Sequence, residues 1–201
     1  MSLALRRLSQ DGSRNREQNR DNLPSMSAPE KATRRDIILV FAGIAAAMAS
    51  YFFFNRLEPR SEPLLMNTWV DENLPLVPVF VVPYLSFHWL AMIVVPVLSL
   101  RAGGRRAFLT NGWAIITSQA VLDIAYFCFQ TEVPRKPVSG DDPFTWLLVN
   151  VVYGNDRPLN GFPSNHVTWT VVSIIALWRI RHVIPRTARV LIPWFLLILS
   201  L

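Results

Sequence analysis

The sequence predicts an all-α protein, a polytopic transmembrane helical bundle. Apolar residues make up 51% of the 201-residue chain and charged residues only 17%, against roughly 25% charged in a typical soluble domain. Mean hydropathy is +0.28. The apolar residues also fall into blocks, and the basic residues collect in the gaps between them. That placement decides how the net charge of +6 is read. Nucleic-acid binding needs basic residues gathered on one soluble face, so no nucleic-acid partner is expected. Cys128 is the only cysteine, which excludes an internal disulfide and a thiolate metal cluster.

Residues 1–36 form a polar leader that mixes Arg6, Arg7, Arg14, Arg16, Arg20, Lys31, Arg34 and Arg35 with five acids. It lacks the apolar core of a secretory signal and reads as a retained, disordered cytoplasmic tail. Residues 37–201 form the transmembrane domain. Its first block, Ile37 to Phe54, has 18 uncharged residues, near the lower limit for a core about 30 Å thick. Gly43 and Ala45–Ala47 give it a small-residue face for close helix packing. The second block, Val77 to Leu100, holds Pro78, Pro83 and Pro96, which suggests a kink or a preceding surface element. The third, Ala107 to Phe129, contains Asp123, and the fourth, Val167 to Ile180, turns basic at Arg179. The fifth, Val190 to Leu201, has twelve residues that rise only about 18 Å as a helix. The chain is therefore expected to be incomplete at its C-terminus. Phe144–Tyr153 is apolar and aromatic, as for a short helix along the interface. Trp69, Trp89, Trp146 and Trp194 read as interface anchors or packing residues.

Charge orients the helices. The leader, Arg101–Arg106 and Arg179–Arg189 are basic, the last two without acids, while Asn55–Leu76 and Gln130–His166 mix both signs. By the positive-inside rule the first three face the cytoplasm and the other two face outward or into a lumen.

The outer segment Gln130–His166, QTEVPRKPVSGDDPFTWLLVNVVYGNDRPLNGFPSNH, carries most of the chemistry. Pro163-Ser164-Asn165-His166 looks like a helix start. Free N–H groups and a Ser hydroxyl there suit an anion, although a Pro-Ser start alone is usually only a cap. A histidine at that point can donate a proton to a leaving oxygen, and Arg135 offers a planar cation for phosphate.

The strings TEVPRKP and YGNDRPLNGFPSNHV together resemble the type 2 phosphatidic acid phosphatase superfamily. They are closest to its inositol phosphorylceramide synthase-like (inositolphosphotransferase) branch. The proline-rich LPLVPVFVVPYLSFHWL is similar to that family's second helix, so the resemblance runs from about Leu74 to Arg181. It implies a six-helix bundle with about five helices present and a phosphate site at the outer face. It further implies that Arg135 and Ser164 bind phosphate, with Asn165 beside them, and that His166 protonates the leaving group. A third motif in the family supplies a nucleophilic His, which forms a phosphohistidine, and an Asp that orients it. No metal or other cofactor is implied. The expected partners are the bilayer and a lipid phosphate substrate: a phospholipid, or an isoprenoid or sphingolipid phosphate. A bacterial plasma membrane is favoured over an endomembrane by the branch alone.

The sequence also departs from the pattern. Cys128 stands where the phosphatases place a Lys, Gln130 where the branch has Pro, and Lys136 separates Arg135 from Pro137. No third motif follows His166, so the chain as given is expected to lack turnover. His182 lies in a cytoplasmic loop and cannot replace the missing histidine, and His88, between Phe87 and Trp89, reads as a packed core histidine. Asp123, alone in an apolar block, is a substrate-positioning candidate, with a structural role favoured. Asp156 and Asn160 either position the head group or build the turn before the helix. Arg157 is a second phosphate-ligand candidate. Two other readings compete with the enzyme: a non-catalytic anionic-lipid-binding membrane protein, and a small transporter subunit.

Overall fold

Thr33 and Asp36 start the first helix before the apolar block begins. The Thr33 hydroxyl accepts from the Asp36 N–H at 3.1 Å, and the Asp36 carboxylate accepts from the Thr33 N–H at 2.9 Å. This reciprocal capping box opens α1, Arg34–Arg56. The tail boundary expected at residue 36 therefore moves to Thr33. The computed structural model describes residues 30–200; the disordered tail expected over residues 1–29 lies outside the described residues.

After α1 come a two-residue strand β1, Leu64–Leu65, and a short helix α2, Trp69–Asn73. A continuous helical stretch of 51 residues, Pro78–Cys128, follows, its two apolar parts separated by the basic run Arg101–Arg106. It opens with a 3₁₀ turn at Pro78–Phe80, where the proline needs no N–H partner. It continues through α3 (Val81–Trp89) and a π-helical turn (Leu90–Val94) into α4 (Val95–Cys128). A straight helix of that length would run about 76 Å. It is broken at Gly104, whose φ of 67° and ψ of −163° no helix contains. Pro143–Trp146 (α5) and a π-helical stretch (Leu147–Tyr153) agree with the expected short helix. Then come α6, Asn165–Arg179, and α7, Arg186–Ser200.

Helix directions follow from which residues meet. Phe87 stacks near His166, Val95 clusters with Ala176 and Leu177, and Gly103 lies against Ile180. The arm before Gly104 thus runs parallel to α6. The arm after it runs antiparallel, since the Tyr126 hydroxyl donates to the Pro163 carbonyl at the far end. The chain therefore reverses at Gly104. α1 runs parallel to the second arm: Asp36 pairs with Arg105, Val40 faces Gly112, Gly43 faces Ile116, and the Tyr51 and Tyr126 rings meet at 6.3 Å. At Gly43 and Gly112 the opposing Ile116 and Val40 side chains occupy the space a Cβ would need. The small-residue face expected on α1 is thus used for close packing.

Val40, Ile44, Phe87, Ala91, Phe108, Ile115, Trp169 and Leu196 form the main core. Large apolar side chains on the opposite helix faces, including Ile38, Phe53, Val121, Ile124 and Trp178, remain more than half exposed. Arg105 ties the Gly104 turn to the start of α1 at the basic pole, bonding Asp36 at 2.8 Å and Glu30 at 3.6 Å. The start of α1, the Gly104 turn and the end of α6 share that pole. At the other, β1 pairs in parallel with β2, Thr131–Glu132. Short as it is, this pairing anchors the segment that carries the functional candidates.

Candidate functional site

Ser164 caps α6, its hydroxyl accepting from the Val167 N–H at 3.4 Å. That places Asn165 and His166 in the first turn, where backbone donors are unpaired. The loop entering the helix is clamped from three sides. Asn160 adopts a left-handed φ of 63°, tolerated by asparagine, and donates its N–H to the Thr131 carbonyl at 2.8 Å. The Thr131 hydroxyl accepts from the Phe162 N–H at 2.9 Å. Asn55, fully buried near the end of α1, donates to the carbonyls of Arg157 and Leu159 and accepts from the Arg157 N–H.

His166 is held in an aromatic cage on one face of α3. Its ring centre lies 5.0 Å from Tyr84, 4.8 Å from Phe87 and 5.2 Å from His88. Residues 84, 87 and 88 share that face by helical spacing. The Nε2 atom of His166 is buried and has no hydrogen-bond partner among the described residues. His166 and His88 both line a cavity of about 610 Å³, with Asn165, Asp156, Tyr51 and Tyr84 at the same end. Apart from Asn155 the remainder is apolar, with Phe41, Ile44, Ala45, Met48 and Phe52 along α1 facing Leu85, Trp89 and Met92. From Phe41 to Phe52 this slot follows α1 for about 16 Å. His88, expected as a packed core residue, is packed against the Tyr84, Phe87 and His166 rings and also borders the cavity beside His166.

Arg135 lies next door. Its guanidinium stacks 4.4 Å over the Tyr153 ring, donates to the Tyr153 carbonyl at 3.3 Å and pairs with Asp156 at 3.5 Å. It lines a second cavity of about 430 Å³. Tyr84, Val152 and Asp156 border both cavities. Asp156 also accepts from the Tyr51 hydroxyl at 2.8 Å. Burial pushes its carboxyl above the usual carboxylate range, and the Tyr51 bond and Arg135 partly offset that rise.

The structure thus gathers His166, Asn165 and Asp156 around one space, with Arg135 reaching Asp156 from the other side. The remaining candidates sit elsewhere. Ser164 caps the helix and borders neither cavity. Arg157 pairs with Glu58 at 2.8 Å and donates to the Arg56 carbonyl, outside both spaces. Asp123 is buried and accepts from the Gln119 amide at 2.8 Å, in keeping with a structural role. Asn160 is buried, with both side-chain polar atoms unpartnered. Among the described residues no three His, Cys, Asp or Glu side chains gather as metal ligands. Tyr51, Asn55 and Tyr84 were not singled out by the sequence. A polar residue directly after the apolar block that ends at Phe54 is the signal that marks Asn55.

Comparison of the chain with family models, curated proteins and solved structures gives no match.

Proposed function

We propose that the chain is a multi-pass integral membrane protein whose outer pole binds a lipid phosphate. In this reading it belongs to the lipid phosphate phosphatase and phosphotransferase class. The substrate is a phospholipid, or an isoprenoid or sphingolipid phosphate. The two stretches long and apolar enough to cross a bilayer become three spans, because Gly104 divides the second. α6 and α7, each 15 residues, complete an alternating in–out order. The basic pole formed by Arg34, Arg35, Arg101, Arg105, Arg106 and Arg179 supports a cytoplasmic N-terminus. The bacterial plasma membrane is proposed from the family resemblance alone.

The observation that carries the reading is the amphipathic cavity, an apolar slot along α1 ending at His166, His88 and Asn165. A lipid chain fits the slot by burial of its apolar surface, and its phosphate then meets the imidazole. As an attacking nucleophile forms its bond to phosphorus and the ester P–O bond breaks, His166 donates a proton to the departing oxygen. The attacking histidine of the resembled family has no counterpart after His166. Arg135 contributes a cation when it exchanges Asp156 for a phosphate oxygen, a bidentate partner well suited to guanidinium.

The test is phosphate release or head-group transfer by the purified full chain in mixed micelles, with phosphatidic acid and an isoprenoid pyrophosphate offered in turn. Without that nucleophilic histidine after His166, the chain as given is expected to release no product. Product released by it would overturn that expectation, and His166→Asn should then lower the rate by about 10²–10⁴-fold. Equal product release by both proteins would refute the assignment of His166. One observation favours a second reading, binding without turnover: Arg135 is already neutralised by Asp156. Saturable phosphatidic acid binding that weakens in Arg135→Ala, with no product formed, would select it.

A further inference from the structure

His88 lies 78 residues before His166, on a different helix, yet the two rings meet at 5.2 Å with their planes 81° apart. A linear N–H···N bond of about 3 Å between two imidazoles puts the ring centres about 5 Å apart. The spacing therefore suits a direct bond after a ring rotation. The group that most needs one is present: His166 Nε2, buried without a partner among the described residues. The rings around it are Tyr84 and Phe87, whose stacked faces accept no conventional hydrogen bond. A buried polar nitrogen left unpaired is costly, and the His88 imidazole, its ring centre 5.2 Å away, is able to satisfy it.

We propose that His88 and His166 form a hydrogen-bonded histidine pair that holds one proton between them. His88 is a positioning residue. By bonding one nitrogen of His166 it fixes the tautomer, and so decides whether the other nitrogen offers a proton to the cavity. Two imidazolium charges at this distance repel, so the pair takes up its second proton only with difficulty. The other titratable groups facing the pair are few. α1 presents Tyr51 and α3 presents Tyr84. On α4, Tyr126 bonds the Pro163 carbonyl and Asp123 accepts from Gln119, and neither lines the cavity. The loop presents Asp156 in its pair with Arg135. The charged residues of α7, Arg186 and Arg189, stand at its basic end. The pair itself follows from geometry alone; only the destination of its proton rests on the lipid-phosphate reading.

The experiment is a pH titration of the full chain, labelled with ¹⁵N-histidine, in detergent micelles. The chain has three histidines, and His182, remote from the cavity, serves as the control. A pair predicts that His88 and His166 titrate together in two linked steps, with scalar coupling across the N–H···N bond. It also predicts that His88→Gln shifts the His166 midpoint and tautomer ratio while leaving His182 unmoved. Independent single-step titrations of His88 and His166 in the unmutated protein would overturn the proposal, and need no variant to fold. So would a His166 tautomer ratio unchanged in folded His88→Gln. Phosphatidic acid added to the same sample separates the two readings. A linked pair that does not respond to it upholds the pair and counts against the lipid-phosphate site.

Discussion

Replacing Asn55 by alanine should loosen the site without touching it. The amide is fully buried and makes three bonds to one loop, at 3.1 Å to the Arg157 carbonyl, 3.1 Å to the Leu159 carbonyl and 2.8 Å from the Arg157 N–H. Alanine leaves two carbonyls and one N–H without their partner. Each buried group so abandoned costs about 1–3 kcal/mol. Partial access of water at Arg157, which is exposed, keeps the total near the lower end, about 3 kcal/mol. At roughly 2–4 °C per kcal/mol for a chain of this size, the melting temperature in detergent should fall by about 6–12 °C. Hydrogen exchange supplies the local readout. Amides of residues 155–162 should exchange faster, while those of the second arm of α4 keep their protection. Asn55→Asp should behave similarly, because a carboxylate cannot donate to the two carbonyls. A melting temperature within about 2 °C of the parent, with unchanged exchange in the loop, would refute the view that Asn55 clamps the site loop to α1.

Other outcomes follow from the same geometry. Gly112→Leu should destabilise the protein by about 1–3 kcal/mol, because α1 is forced away from Val40; an unaltered detergent melt would contradict the close packing. Cys128 is exposed at the pole that the proposed topology places outside, so on that topology a membrane-impermeant maleimide should label it in intact cells. Labelling only after lysis would invert the proposed topology. Asp156 holds its proton to higher pH in the folded chain than in the unfolded one, because burial raises it. Its contribution to stability is thus full below the ordinary carboxylate range and declines as pH rises through the folded value. Asp156→Asn should remove that decline in melts between about pH 4 and 8. Asp142 has the opposite sign. Its bonds to Thr145 hold it below the usual range, so the cap of α5 should weaken as pH falls. Protection of the Phe144 and Thr145 amides, relative to their intrinsic exchange at the same pH, should then fall in acid, and be lower at neutral pH in Asp142→Ala.

What the sequence made legible is local. Pro163 and Ser164 announce the start of α6 because a cap depends only on neighbouring backbone N–H groups. Proline at Pro78 announces a helix start for the same reason. The basic run Arg101–Arg106 marks a turn, although not that one residue, Gly104, would make it. The partners of the site residues were hidden. Whether His88 faces the core or His166 depends on how α3 and α6 rotate against each other, and that is settled by packing at Phe87, Ala91 and Trp169. Arg135 was read as a free cation for phosphate. Its salt bridge to Asp156 arises from a loop 21 residues away, folded back by the β1–β2 pairing and the Asn160 turn. Arg157 looked equally available until Asn55 and Glu58 turned it aside.

The reversal at Gly104 also bears on how the protein is made. On the multi-pass reading, the two arms are joined by one residue in a backbone region almost closed to any side chain, with no slack between them. Neither arm can then leave the translocation machinery and wait in the lipid while the other is still being threaded. The pair enters as a preformed helical hairpin, its basic tip left behind on the side of synthesis. A bulky residue at Gly104 would therefore show its defect first as failed membrane integration, before any effect on the finished site.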